Sequence, residues 1–239
     1  MAGQEPELSI VLPVYNEGEN ITRVLQGLAE HVRTPHEVLV VYDFEEDTTV
    51  PAVRALGSVT VRLYRNTLGR GVLNAMRAGM AAARGPLVLI SMADGSDDPA
   101  VIDAMVERAR AGADVVAASR YVRGGRQEGG PPLKAFLSRA AGLSLHHLAG
   151  LPIHDATSNF RLYRRSFLER VRIESVGGFE LALELTVKAW LAGSLVAEVP
   201  TVWRDRTAGT SKFRLRAWLP SYLRWYVLAL RGRASRPPA

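Results

Sequence analysis

The chain has 239 residues, 47% hydrophobic and 23% charged, with 21 Gly, 13 Pro and no Cys. That balance excludes disorder, collagen and fibrous repeats, and without Cys there is no disulfide framework, thiolate zinc site or cysteine nucleophile. The net charge of +6 is uneven: from Arg204 to the end there are nine basic residues against one acid, while the body is nearly neutral.

In chain order, short apolar runs predict strands at residues 8–14, 37–41, 59–64, 87–90 and 115–118. Amphipathic stretches between them predict helices at 19–32, 71–83 and 99–111, with a short one after Thr48. Near-continuous apolar strands separated by helices argue for a mainly parallel α/β sheet covered on both faces. Ligands of such sheets sit at the carboxyl ends of the strands. That directs attention to residues 13–17, 42–47, 92–98 and 120 onward. Residues 124–132 read as a Gly/Pro-rich surface loop. A helix at 133–149, a polar segment at 155–163, a helix at 180–192 and a strand at 195–199 follow. The loop 204–212 leads into an apolar, arginine-flanked helix and a disordered Arg/Pro tail.

The turn after the first strand, Pro13-Val14-Tyr15-Asn16-Glu17, lacks the glycines of a dinucleotide fingerprint, and no Walker-type phosphate loop is present. Asp43 follows the second strand, and Met92-Ala93-Asp94 follows the fourth. Ser119-Arg120-Tyr121, Ser138-Arg139, Ser158-Asn159-Phe160-Arg161-Leu162-Tyr163 and Asp205-Arg206-x-x-Gly209-x-Ser211-Lys212 come later in the chain. In this order the motifs resemble family-2 glycosyltransferases, specifically the dolichol-phosphate mannose synthase and polyprenyl-phosphate glycosyltransferase branch, over nearly the whole chain. The resemblance implies a GT-A-like nucleotide-binding domain at 1–213, with a basic amphipathic helical appendage and tail at 214–239.

It also implies an inverting transfer from a UDP- or GDP-linked sugar to a polyprenyl phosphate, assisted by a divalent metal (Mg or Mn). Pro13, Tyr15, Glu17 and Asp43 would shape the donor site: Asp43 can accept from a base N–H group and Tyr15 offers a stacking face. Asp94 is the expected metal ligand and catalytic centre, with Ser96 or Asp97 as a further oxygen donor, Asp97-Asp98-Pro99 being equally readable as a helix start; hard cations take oxygen ligands and share them with substrate phosphates. Met92 stands where the family has the first Asp of Asp-x-Asp, and a thioether is a poor ligand for such a cation. Tyr42 likewise stands where the family has the first of two acids. Arg120 and Arg139 would hold the acceptor phosphate, while Arg206 and Lys212, on a Gly-containing loop, would clamp the diphosphate. Glu180 and Glu184, one turn apart, can be read as a base for a hydroxyl acceptor or as structural acids. The alternatives are thus a hydroxyl-acceptor glycosyltransferase and a catalytically weak nucleotide-sugar-binding module.

Residues 1–8 are too polar and acidic for a signal peptide, and the apolar stretch 217–230 is broken by Pro220 and Arg224. On a helical wheel Trp218, Leu219, Tyr222, Leu223, Trp225, Tyr226, Ala229 and Leu230 share an arc of about 160°. With flanking arginines, that stripe predicts a helix lying on an anionic membrane surface, its aromatic residues buried in lipid. The expectation is a peripheral protein at the cytoplasmic face, with room for a partner that supplies an anchor. Aromatic residues sharing one stripe argue against nucleic acid as the tail's partner.

Overall fold

The computed structural model describes residues 5–58, 60–205 and 215–233. Seven strands form one sheet: β1 (Leu8–Pro13), β2 (His36–Tyr42), β3 (Val61–Arg65), β4 (Leu87–Ile90), β5 (Val115–Ser119), β7 (Arg161–Arg164) and β8 (Val196–Pro200). Their order is β3-β2-β1-β4-β7-β5-β8, and every pairing is parallel except the two made by β7. The expected mixed, mainly parallel sheet is present.

Burial on both faces explains the unbroken apolar strands. On one side α1 (Ile21–His31), α2 (Thr49–Leu56) and α4 (Ile102–Arg110) bury Leu25, Val50 and Met105 against alternate residues of β1 and β2. On the other, α3 (Val72–Ala82) and α7 (Leu181–Leu191) pack on Val11, Val41 and Val88. Helix α3 approaches β1 closely because Gly79 has no side chain; a Cβ there would stand 2.2 Å from Val11 Cγ1. The expected helix at 99–111 begins as a 3-10 turn, with Pro99 inside it and the Asp98 carboxylate accepting from Ala100 N–H. The expected helix at 133–149 is α5 (Pro132–Ser144), closed by a π-helical turn at Leu145–Ala149.

Three elements differ from the sequence expectation. Part of the polar segment 155–163 is β7, inserted antiparallel between β4 and β5, and a short helix, α6 (Arg165–Arg170), follows it. The arginines of β7 suggested solvent, yet Arg161 is wholly buried, its guanidinium donating to Ala182 O, Asp155 O and the Thr186 hydroxyl. The Gly/Pro-rich loop contains β6 (Arg126–Glu128), which pairs with β9 (Val202–Arg204) in a separate two-stranded sheet.

The third difference is the last helix, α8 (Leu215–Arg233). Trp225 and Ala229 are buried in the core beside α7, and the hydroxyls of Tyr222 and Tyr226 donate to Phe179 O and Ser144 Oγ. Tyr222, Trp225 and Tyr226, expected to face lipid, therefore face the protein. The apolar stripe is wide enough to be split: Leu219 and Leu223 remain exposed, joined by Val227 and Leu228. The side chain of Trp218, named in that stripe, is not described, and the tail after Arg233 lies outside the described residues. Among the described residues no helix is long and apolar enough to cross a membrane.

Candidate active site

The parallel strands bring residues 13–17, 42–47, 91–98 and 120 to one edge of the sheet, and the antiparallel β7 brings the segment before it, 155–160, to the same edge. Pro13 ends β1, buried opposite Val41. The following turn is clipped to the β2 loop: Asn16, with φ of 57°, donates its N–H to both oxygens of Asp47 at 3.1 Å. Glu17 N–H donates to Thr49 Oγ1 at 2.9 Å, and the Glu17 carboxylate accepts from Asn20. Asp47 is wholly buried, and sequence reasoning did not single it out.

Asp43 is tied to the loop before α3, accepting from Asn66 Nδ2 at 2.7 Å and from Gly71 N–H at 2.8 Å. Tyr15 is half exposed, its ring edge-on to Phe44 at 5.5 Å, and Arg70 lies over Phe44. Asp43 thus keeps lone pairs to spare on its two oxygens, and Tyr15 offers a half-exposed ring at the same edge of the sheet. Tyr42 points elsewhere: it is buried and donates to Glu45 at 3.0 Å.

In the acidic turn Asp94 Oδ1 accepts from Ser96 N–H at 3.1 Å, closing an Asx turn over Gly95. Asp97 Oδ2 takes the Ser91 hydroxyl at 3.0 Å and Met92 N–H at 2.9 Å, so the backbone of Met92 is a donor to this carboxylate. Desolvation, with the Asp94 charge added, pushes Asp97 up to about 7. A cavity of about 190 Å³ opens beside the turn, lined by Arg23, Met92, Gly95, Ser96, Asp97 and Arg204. Among the described residues no group of three His, Asp or Glu side chains could hold a metal ion. The donors present are oxygens, with Asp94 nearly buried beside Ser96, which suits a hard cation that takes its other ligands from substrate phosphates.

The basic group stands at the same edge of the sheet. Arg120 at the end of β5 is held by Asp155, Ser138 and Thr157. Arg139, the next residue on α5, is exposed and close enough for its charge to act on Tyr121. The β6–β9 ribbon closes the same side: Arg204 N–H donates to Ser96 O at 3.1 Å, and Asp205 N–H to Glu128 O at 2.9 Å. The segment carrying Arg206 and Lys212 thus departs from beside the acidic turn; both residues lie outside the described residues.

The chain matches the family model "Glycosyl transferase family 2" over residues 9–172. It belongs to that family. The polyprenol monophosphomannose synthase of Mycolicibacterium smegmatis is 32% identical, over 95% of this chain and 88% of that protein. The undecaprenyl-phosphate mannosyltransferase of Micrococcus luteus is 31% identical over 84% of this chain and 85% of its own. The dolichol-phosphate mannosyltransferase of Pyrococcus furiosus is 31% identical over 87% of this chain, which spans 59% of that longer protein. Glucosyl-3-phosphoglycerate synthase from Mycobacterium tuberculosis, solved with Mn2+, UDP and glucosyl-3-phosphoglycerate, superposes with a TM-score of 0.68 at 19% identity. That superposition covers 98% of this chain and 82% of the other. The last likeness shows the expected GT-A-like fold.

In this family-2 glycosyltransferase Glu180 and Glu184 are structural acids. Glu184 is wholly buried and accepts from the N–H groups of Glu174 and Ser175 at 2.6 and 2.7 Å and from Lys188 at 2.7 Å. Glu180, equally buried, accepts from three successive N–H groups, Val176 to Gly178. Glu184→Gln places an amide against backbone donors, at a cost of about 1–3 kcal/mol. The expected outcome is a lower Tm with turnover per folded molecule unchanged, checked by thermal melts beside initial rates. A large loss of turnover in the folded variant would restore the base.

Sequence reasoning missed Asp47, Asn66 and Asp155 as the residues that hold the named ones in place. Asp155-x-Thr157-Ser158 carries the signal of an Asx turn: Asp155 Oδ1 accepts from the N–H groups of Thr157 and Ser158.

Proposed function

We propose that this glycosyltransferase moves a sugar, with inversion, from a nucleotide-sugar donor to a polyprenyl phosphate. The observation that carries the reading is the meeting of two unlike groups at one edge of the sheet, the acidic turn of Asp94 and Asp97 after β4 and Arg120 after β5, close enough for the charges of Asp97 and Arg120 to interact, with Arg139 near Tyr121. Asp94 and Ser96 would hold a hard cation that offsets charge on the donor diphosphate; the arginines suit a second anion, which without them would repel the first. A phosphate acceptor is already ionised near neutral pH and needs no base, in keeping with the sealed Glu180 and Glu184. The three relatives with 31–32% identity are named for transfer to polyprenol, dolichol or undecaprenyl phosphate.

In the reaction so read, an acceptor phosphate oxygen attacks the anomeric carbon from the face opposite the leaving diphosphate, and the C–O bond to that diphosphate breaks. Tyr15 and Asp43 hold the nucleoside, and Pro13 and Glu17 fix the turn that carries Tyr15. Asp94, with Ser96, would hold the Mg or Mn ion, which supplies charge stabilisation to the departing diphosphate. Arg120 and Arg139 orient the acceptor. Arg206 and Lys212, which follow β9 in the sequence, are read from their motif as the cations for the diphosphate. Arg206→Ala and Lys212→Ala are each expected to slow transfer by about 10- to 1,000-fold with Tm nearly unchanged. Initial rates and thermal melts check this; an intact rate would remove that residue from the clamp.

The acceptor's solubility calls for a lipid surface, and the exposed apolar residues of α5 and α8 supply one: Leu133, Phe136 and Leu137 with Leu219 and Leu223. The cationic stretch from Arg204 adds attraction of about 1 kcal/mol for each basic residue near an anionic bilayer. We place the protein peripherally at the cytoplasmic face, where an anchoring partner protein would find room. Phe136→Asp and Leu223→Asp are expected to lower co-sedimentation with anionic vesicles several-fold, and high salt to lower it further; binding unchanged by both would move the surface elsewhere.

The test of the reading is a screen of radiolabelled UDP- and GDP-sugars against undecaprenyl and dolichyl phosphates with Mn2+. A GDP- or UDP-linked mannose is the first donor to try, because all three relatives are named for mannose. Lipid-linked product supports the reading. Donor binding without product from any pair would leave a nucleotide-sugar-binding module.

A further inference from the structure

Asp155 is wholly buried; its Oδ1 closes the Asx turn on Thr157 and Ser158 N–H, and both of its oxygens also accept from Arg120. Arg120 Nε donates to Oδ2 at 2.6 Å, Nη2 donates to Oδ1 at 2.9 Å, and the Arg120 backbone N–H reaches Oδ2 at 3.2 Å. Nη2 is further engaged by Ser138 Oγ at 3.1 Å and Thr157 Oγ1 at 3.0 Å. Among the described residues Nη1 meets only Gln127 Oε1, at 3.4 Å. One edge of the planar fork is therefore fixed and one end is lightly held.

Three separate elements converge to do this. Arg120 follows β5, Asp155 and Thr157 precede β7, and Ser138 lies on α5. Helix α5 reaches the 154–156 segment because Gly142 has no side chain; a Cβ there would stand 2.0 Å from His154 O. Burial works against the Arg120 charge, yet the Asp155 charge and hydrogen bonds outweigh it and hold that guanidinium above its ordinary range. The Asp155 carboxyl is held below its ordinary range by Arg120, again against burial. Arg120 and Asp97 also act on one another electrostatically, which sets Arg120 beside the acidic turn.

We propose that Asp155, assisted by Ser138 and Thr157, is a positioning residue for sugar transfer, fixing Arg120 so that its Nη1 end is set for an acceptor phosphate oxygen. The proposal rests on the reading of Arg120 as a phosphate contact given above. A long arginine otherwise loses rotamer freedom when it meets its anion; here that freedom is removed during folding. The same pair in a purely structural role would stabilise the fold and leave the rate per folded molecule alone.

A double-mutant cycle on the full chain separates the two, with kcat and the nucleotide-sugar KM measured for wild type, Asp155→Asn, Arg120→Ala and the pair. If Asp155 works through Arg120, Asp155→Asn lowers kcat about 10- to 100-fold in the wild type with the donor KM unchanged. In the Arg120→Ala background it then changes kcat less than about twofold, or raises it by relieving the unpaired carboxylate. Equal losses in both backgrounds, or none in the wild type, overturn the proposal. Should Asp155→Asn fail to fold, Ser138→Ala is read in the same cycle, with a loss of about three- to tenfold expected only when Arg120 is present; an equal loss in both, or none, overturns the proposal. Transfer by the wild type with an additive cycle removes this proposal alone. A wild type that transfers to no polyprenyl phosphate removes the functional reading and the proposal with it.

Discussion

Asp94→Ala is expected to cut sugar transfer by about a thousandfold or more, the scale of losing a charge-stabilising centre at the leaving group. The carboxylate is nearly buried and accepts from Ser96 N–H, a turn contact worth about 1 kcal/mol to the fold. Rates with Mn2+ and with excess chelator, beside a thermal melt, check the prediction. Wild-type activity in chelator, or an active Asp94→Ala, would remove the metal from the reaction. The same logic makes metal binding weak without nucleotide, because among the described residues no protein cage surrounds Asp94. Met92→Asp, which restores the family pattern, is expected to tighten Mn2+ binding. Met92 is packed against the core below α3, so the new carboxylate must turn toward the cavity to do so.

Trp225→Ala is expected to destabilise the protein by about 3–5 kcal/mol, the range for deleting a buried aromatic side chain. Trp225 is 2% exposed, lies under Lys188 and Arg224, and shares the core with Ala229. Denaturant melts read the loss, and vesicle co-sedimentation of the surviving folded protein is expected to stay near wild type. The opposite pattern, unchanged stability and lost vesicle binding, would return Trp225 to the lipid face that the helical wheel suggested.

That contrast shows what a wheel can decide. It locates an apolar stripe but not what covers it, and a stripe of about 160° is wider than one packing partner needs. In α8 the protein takes Trp225 and Ala229, and Leu219 and Leu223 are left outside. The five parallel strands of the first half were legible because burial on both faces demands unbroken apolar runs. Strand β7 was hidden because its backbone joins the sheet while Arg161 finds buried partners on α7 and at Asp155 O. The proposed site residues Tyr15, Asp43, Asp94 and Arg120 were singled out through their motifs, and they share one edge of the sheet. Their supports were not, because Asp47, Asn66 and Asp155 act across 23 to 35 residues of chain, a spacing that no local pattern encodes.

The most direct measurement compares two acceptors that differ only in charge. The purified protein is given a radiolabelled nucleotide sugar, Mn2+ and either a polyprenyl phosphate or the corresponding polyprenol. The reading of Arg120 and Arg139 as acceptor-phosphate contacts predicts labelled lipid from the phosphate and none from the alcohol, with transfer lost in Arg120→Ala. Efficient transfer to the alcohol, or transfer to the phosphate that survives Arg120→Ala unchanged, would contradict a site built around two anions.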